Sequence, residues 1–185
     1  MKIIRYNLVI LVLALFAAFV VPEVEADSAA KLEYKVKAAF LYNFTKFVDW
    51  PDEKVADANK PIIIGIVDDN PLEEVYEPLK KKSVKGRRIQ IRYFRKITLP
   101  SDPEEDDEER YNDTIQSLRN CHVLFICGSL SQKHTNILRV VRGSSVLTIG
   151  ESSQFILKGG IVNFVKRDQK IRFEINLATA READL

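Results

Sequence analysis

The feature of this sequence that most constrains its fold is a series of short apolar runs, rich in β-branched residues, that alternate with segments of helical periodicity. The first run, Ile62 to Val67, is continuously apolar, as expected for a strand buried on both faces of a mostly parallel sheet. Arg167-Asp168-Gln169 separates the last two runs and is typical of a hairpin with a short polar loop. The predicted strands are Ile62 to Val67, Ile89 to Phe94, Val123 to Ile126, Val146 to Ile149, Ile161 to Lys166 and Lys170 to Asn176.

Helices are predicted between these strands. Ser28 is a suitable N-cap for a long first helix, which Asp49-Trp50-Pro51 ends because the residue before proline is disfavoured in a helix. A second helix is predicted with Asn70 as its cap and Pro71 in its first turn, and a third near Ser131 to Val141. The apolar stripe of the first helix consists of Val36, Phe40, Phe44, Phe47 and Val48, and that of the second of Leu72, Val75, Tyr76 and Leu79.

This alternation predicts an α/β domain, a three-layer sandwich with a mixed, mostly parallel sheet that ends in an antiparallel hairpin. A length of 185 residues suits one domain and is short for two. We therefore expect a single domain over residues 27–185.

The first 26 residues have the pattern of a secretory signal peptide. Lys2 and Arg5 precede an unbroken apolar run from Leu8 to Val21, which is short for a membrane span of about 20 residues. Small residues at Val24 and Ala26 predict cleavage after Ala26 and export from the cytoplasm. The alternative is an uncleaved N-terminal anchor.

The charge balance argues against a nucleic-acid partner. The chain has 28 basic and 26 acidic residues, a formal net charge of +2, whereas proteins that follow a phosphate backbone carry a clear basic surplus. One acidic run, Ser101 to Glu109, is interpreted as an exposed loop because adjacent like charges repel and stay solvated. A cation or partner site is the alternative.

Two cysteines, Cys121 and Cys127, are the candidates for redox chemistry. A straight strand of this length separates them by roughly 20 Å, so an intrachain disulfide requires Cys127 to lie on a turn that folds back. Buried free thiols, or a disulfide within or between chains, both remain open. With His122 and His134 the cysteines match none of the compact zinc patterns, and no metal or other cofactor is predicted.

Sequence patterns of catalysis are missing. The serines of Gly143-Ser144-Ser145 and Gly150-Glu151-Ser152-Ser153 do not lie in a G-x-S-x-G elbow, and the sequence contains no phosphate-binding P-loop motif. The chain is therefore not expected to be an enzyme. One polar group is a candidate for binding a ligand or partner: Arg172, Glu174 and Asn176 share a face of the last strand, with Asn163 on its neighbour. A merely solvated face is the alternative.

Several blocks of the sequence closely resemble the YfiR-like family of exported bacterial proteins. They are V-K-A-A-F-L-Y-N-F-T-K-F-V-D-W-P from Val36 to Pro51, C-H-V-L-F-I from Cys121, V-L-T-I-G-E from Val146, G-G-I-V-N-F-V from Gly159 and I-R-F-E-I-N from Ile171. They occur in this order over nearly all of the mature chain.

The resemblance implies a periplasmic, dimeric, non-enzymatic signalling regulator. Such a protein binds the periplasmic sensor domain of an inner-membrane diguanylate cyclase, or of another sensor, and lowers cyclic di-GMP and biofilm formation. Release by envelope stress, redox state or an outer-membrane-associated sequestering partner is also implied. The alternative function is a periplasmic small-solute-binding protein that uses Arg172, Glu174 and Asn176 for specificity. A secreted hydrolase is the weakest possibility, since no nucleophile constellation supports it.

Overall fold

A computed structural model describes residues 23–69, 71–97, 99, 108–128 and 132–185 of the chain. Four predicted features lie outside these residues in whole or in part. They are residues 1–22 of the signal peptide, the cap Asn70, residues 101–107 of the acidic run, and Ser131. The chain divides into two compact units, residues 1–33 and 34–185. The described part of the first unit is helical, and the second unit contains every strand of the described residues.

The second unit is built on a seven-stranded sheet. Its helices are α1 (Glu23–Phe47, which begins in the first unit), α2 (Asp52–Val55), α3 (Glu77–Lys80), α4 (Glu108–Arg119), α5 (Gln132–Val141) and α6 (Leu177–Glu182), with a 3-10 turn at Glu73–Val75. Its strands are β1 (Ile62–Val67), β2 (Ser83–Val84), β3 (Arg87–Phe94), β4 (Val123–Ile126), β5 (Leu147–Gly150), β6 (Val162–Arg167) and β7 (Lys170–Ile175).

The sheet is mixed and mostly parallel. The strand order is β2-β3-β1-β4-β5-β6-β7, with antiparallel pairs at the two ends and parallel pairs between. The β6–β7 pair is the predicted antiparallel hairpin, and its turn residues Asp168 and Gln169 have φ of 51° and 59°, as a two-residue type I′ turn requires. The predicted α/β fold class is confirmed.

Each face of the sheet carries its own apolar core, because successive side chains of a strand point to opposite faces. On β4, Val123 and Phe125 pack in the core shared with α1 and α3. Leu124 and Ile126 pack in the core shared with α4 and α5. All four are fully buried, which explains why the central strands are continuously apolar.

Several details of the predicted helices are wrong. Ser28 lies inside α1, which begins at Glu23, so it is not the N-cap. Val36 and Phe47 are exposed. The other predicted members of the stripe, Phe40, Phe44 and Val48, do pack against the core, beside the fully buried Ala38 and Leu41. The predicted second helix is shortened to the 3-10 turn and α3, although Val75, Tyr76 and Leu79 are buried as expected.

Four elements were not predicted: α2, β2, α4 and α6. Strand β2 pairs with β3 through the turn Lys85–Gly86, in which both residues have positive φ. Helix α4 begins at Glu108, so the end of the acidic run is helical and not a loop. Among the described residues of α4, Ile115 and Leu118 are the only buried apolar side chains. Because they are so few, the sequence of this helix has only a weak helical periodicity of apolar residues.

Candidate functional site

The carboxyl edge of the parallel sheet carries a cluster of hydrogen-bonded polar side chains around Glu151. Strand β1 has β3 on one side and β4 on the other, so the strand order reverses at β1, which is the topological switch point of the sheet. In open α/β sheets ligand sites form at the carboxyl ends of the strands that flank such a switch point. The residues that follow β1, β4 and β5 are Asp68, Cys127 and Glu151.

Glu151 is the centre of this cluster. One carboxylate oxygen accepts hydrogen bonds from the Tyr34 hydroxyl at 3.0 Å and from the Gly128 backbone N–H at 2.5 Å. The other oxygen lies 2.5 Å from the Lys37 ammonium, with side-chain exposures of 6% for Lys37 and 10% for Glu151. The Lys37 ammonium also lies 4.5 Å from the centre of the Tyr34 ring. These contacts join α1 to the ends of β4 and β5 by a buried ion pair.

Tyr76 and Cys127 extend the cluster toward β1. Burial and the neighbouring Glu151 carboxylate raise the pKa of the Cys127 thiol, and burial together with Cys127 raises the pKa of the Tyr76 phenol. Burial and Glu151 likewise raise the pKa of Tyr34. A thiol held protonated in this way is a poor nucleophile. The cluster therefore fits a structural or ligand-binding role better than a catalytic one.

A cavity of about 260 Å³ lies beside this cluster. Its polar lining includes the Asp69 carboxylate, which accepts hydrogen bonds from the Lys133 ammonium at 2.7 Å and from the Lys96 backbone N–H at 2.8 Å. These two bonds lower the pKa of Asp69. The full lining consists of Val67, Asp68, Asp69, Cys127, Gly128, Lys133 and His134. Among the residues that the structure describes, no group of three or more His, Cys, Asp or Glu is placed to hold a metal.

The hairpin residues predicted for binding lie near one another but differ in burial and in hydrogen-bond partners. Asn163 and Glu174 are directly opposite in the β6–β7 register, yet Asn163 is only 2% exposed. Glu174 forms an ion pair with Arg167 at 2.9 Å. Asn176 accepts a hydrogen bond from the Thr179 backbone N–H at 3.1 Å and so caps α6. Arg172 and Glu174 are thus the two members of the predicted set that are exposed on β7.

The opposite face of β7 is apolar. The Phe173 ring lies 5.1 Å from that of Phe44 and 5.7 Å from that of Phe40, and it remains 41% exposed. Ile175 on the same face is 48% exposed. We call these four residues the β7 apolar surface. Partly exposed aromatic residues on an edge strand are typical of a protein–protein contact.

The two cysteines lie on opposite faces of the sheet. Cys121 packs in the core with α4 and α5, whereas Cys127 packs in the core with α1 and α3. Both thiols are free and buried. Because the sheet separates the two side chains, the described fold contains no turn that would bring them within the bonding distance of a disulfide.

His122 precedes β4 at the opposite, amino edge of the sheet. Its Nδ1 accepts the Ile63 backbone N–H at 3.1 Å, and its ring lies edge-on to Trp50 at 5.5 Å. Burial, with the cations Lys54 and Arg87, lowers the pKa of His122 to about 4. The imidazole is therefore neutral at physiological pH, and Nε2 carries its proton.

Seven strands between two helical layers, with a cavity at the switch point, define the class of the protein as a three-layer α/β domain. The family model described as YfiR/HmsC-like matches residues 34–185. The chain therefore belongs to the YfiR/HmsC-like family, a family of signalling regulators. No curated protein is similar enough to the chain to count as a match. Among the described residues, no helix has both the length and the apolar character needed to cross a membrane.

The sequence patterns did not predict the contacts of Glu151 with Tyr34 and Lys37. Tyr34 and Lys37 lie on one turn of α1, and Tyr76 follows β1, but all three are far from Glu151 in the chain, so no local motif joins them to it. Glu151 itself gave a signal, because an acidic residue directly after a buried strand lies at the carboxyl edge of a parallel sheet. The sequence thus indicates where Glu151 lies in the sheet, whereas its contacts with Tyr34 and Lys37 follow only from the packing of α1 against the sheet.

Proposed function

We propose that this protein is a non-enzymatic periplasmic regulator that binds the periplasmic sensor domain of an inner-membrane diguanylate cyclase and restrains the enzyme. Membership of the YfiR/HmsC-like family is the observation that carries the proposal. The N-terminal pattern of a charged start and a short apolar run supports export. In this function the protein lowers cyclic di-GMP and biofilm formation, acts as a homodimer, and is released when an outer-membrane-associated partner sequesters it.

The β7 apolar surface is the proposed contact with the sensor domain. Burial of Phe173 and Ile175 against a partner removes apolar area from water, which is the usual driving force for association. Arg172 and Glu174 on the other face of β7 are placed to contribute polar specificity at the rim. Regulation follows if the protein binds two conformations of the sensor domain with different affinity.

The decisive experiment measures cellular cyclic di-GMP in a deletion strain and in strains complemented with the exported protein. We expect deletion to raise cyclic di-GMP and the wild-type protein to restore it. The double variant Phe173→Ser with Ile175→Ser should fail to restore it while still accumulating as a folded protein. Leu157→Ser is the matched control, because Leu157 is 83% exposed and lies outside the hairpin. Unchanged cyclic di-GMP on deletion, across several stress conditions, would refute the cyclase as partner.

Small-solute binding is the second candidate function. The observation in its favour is the cavity of about 260 Å³ at the switch point, where α/β proteins commonly bind ligands. A thermal-shift screen of polar metabolites against the purified protein tests this function. A hit should be lost in Lys133→Ala, whose ammonium lines the cavity, and kept in Phe173→Ser.

A further inference from the structure

A second, smaller cavity of about 140 Å³ lies near the amino edge of the sheet, away from the Glu151 cluster. Apolar side chains of Val55, Ile62 and Val84 form much of its wall. The polar groups at its lining are those of Thr45, Asp49, Trp50, Lys85 and Arg87. An apolar wall with a few polar groups is the usual composition of a small-ligand site.

Two of these polar groups are poorly satisfied by the protein itself. The Trp50 indole Nε1 is buried and has no hydrogen-bond acceptor among the described residues. Arg87 is only 9% exposed, and its guanidinium donates to the backbone carbonyls of Val55 and Lys60. No described carboxylate forms an ion pair with that guanidinium. A buried cation without a counter-charge, and a buried donor without an acceptor, are both unfavourable.

The charged residues that line the cavity are Asp49, Lys85 and Arg87, which together carry one positive charge. The Asp49 carboxylate is exposed and already bound to the Lys85 ammonium at 2.7 Å. The Lys54 ammonium donates to the backbone carbonyls of Arg119 and Ser144. The pKa of the adjacent His122 is lowered first by burial, which disfavours a charge of either sign, and further by the cations Lys54 and Arg87. These cations, unlike burial, favour an anionic group beside them.

We propose that this cavity binds the carboxylate of a small apolar acid, with Arg87 and the Trp50 indole N–H as its donors. The guanidinium supplies charge and planar donors that match a carboxylate. The aliphatic part of the acid lies against Val55, Ile62 and Val84. A cavity of roughly 150 Å³ holds a six-carbon ring, so the ligand class is an acid of about six non-hydrogen atoms. This site is independent of the regulatory function proposed above.

Trp50 makes the test direct because it is the only tryptophan in the chain. Purified protein is titrated with butanoate and, separately, with butanamide, its neutral isostere, at constant ionic strength. The single indole N–H resonance and the tryptophan fluorescence report on the cavity. We expect a saturable downfield shift of the indole proton with butanoate, and none with butanamide at the same concentrations.

Substitutions on the cavity wall and elsewhere show whether butanoate binds in this cavity. Arg87→Gln should weaken butanoate binding by about tenfold or more, since hydrogen bonds to charged groups are worth about 1.5–3 kcal/mol. Lys133→Ala, in the other cavity, should leave binding unchanged. If Arg87→Gln does not fold, Trp50→Phe removes the second donor, and calorimetry should then show weaker binding. No saturable response to butanoate, equal responses to butanoate and butanamide, or loss of binding in Lys133→Ala would overturn the proposal.

Discussion

Replacement of Glu151 by glutamine tests whether the buried ion pair holds the carboxyl edge of the sheet together. The Lys37 ammonium lies 2.5 Å from the carboxylate, and both side chains are nearly inaccessible to solvent. In Glu151→Gln, the amide oxygen can still accept from Tyr34 and Gly128, but Lys37 loses the counter-charge beside it. Removal of one partner of a buried pair typically destabilises a protein by about 3–5 kcal/mol.

The assay is urea denaturation of the purified protein, followed by circular dichroism. With a urea dependence of about 2 kcal/mol per molar, the expected loss lowers the unfolding midpoint by about 1.5–2.5 M. That loss is a large fraction of a typical unfolding free energy of about 5–15 kcal/mol.

A second variant distinguishes the effect of the lost counter-charge from the effect of changed side-chain packing. In the double variant Lys37→Met with Glu151→Gln, the ammonium that lost its Glu151 counter-charge is absent, while the hydrogen bonds of Tyr34 and Gly128 can persist. We expect this double variant to be more stable than Glu151→Gln alone, because a buried pair is often replaced by neutral side chains with little loss. Strictly additive effects of the two substitutions would refute the reasoning.

Three further outcomes are expected. Burial lowers the pKa of His122 from 6.5 to about 4, so between pH 6.5 and 4 the unfolded chain binds more protons than the folded protein. The free energy of unfolding should therefore fall as the pH is lowered through this range, and denaturation curves of His122→Gln should lack this part of the pH dependence. Asn176→Ala removes the cap on the Thr179 backbone N–H and should lower the unfolding free energy by about 1 kcal/mol, with little change in Asn176→Gly, as urea titrations can determine. Burial raises the pKa of Cys121 to about 12 and also raises that of Cys127, so both thiols should resist Ellman's reagent in the native protein and react once it is denatured. A non-reduced protein two mass units lighter than the reduced protein would contain a disulfide and would contradict this.

Much of the fold could be predicted from local patterns. The ends of β1 and β4 match the apolar runs Ile62–Val67 and Val123–Ile126, because strands buried on both faces need continuous apolar sequence. The hairpin was predictable from two strand-like runs around a short polar loop. Helix α4 was missed because its acidic start, at Glu108, resembles a solvated loop and its apolar residues are few.

The candidate site was much less predictable. Arg172, Glu174 and Asn176 do alternate along one strand, but the fold uses Asn176 as a helix cap, a role that depends on where the chain turns after β7. Asn163 has the residue type of an exposed position and is buried, since β6 is covered on both faces at that point. The six-residue spacing of the cysteines gave no sign that the sheet would lie between them.

The sequence by itself determined the class of fold, the family and the positions of the strands, because those depend on residue type and on periods of two to four residues. Tertiary structure alone decided which distant side chains meet. The contact of Glu151 with Tyr34 and Lys37, and the cavity between Trp50 and Arg87, arise from the crossing of α1 over the sheet and from the order of its strands. Such contacts are set by packing in three dimensions, for which a single sequence carries no local pattern.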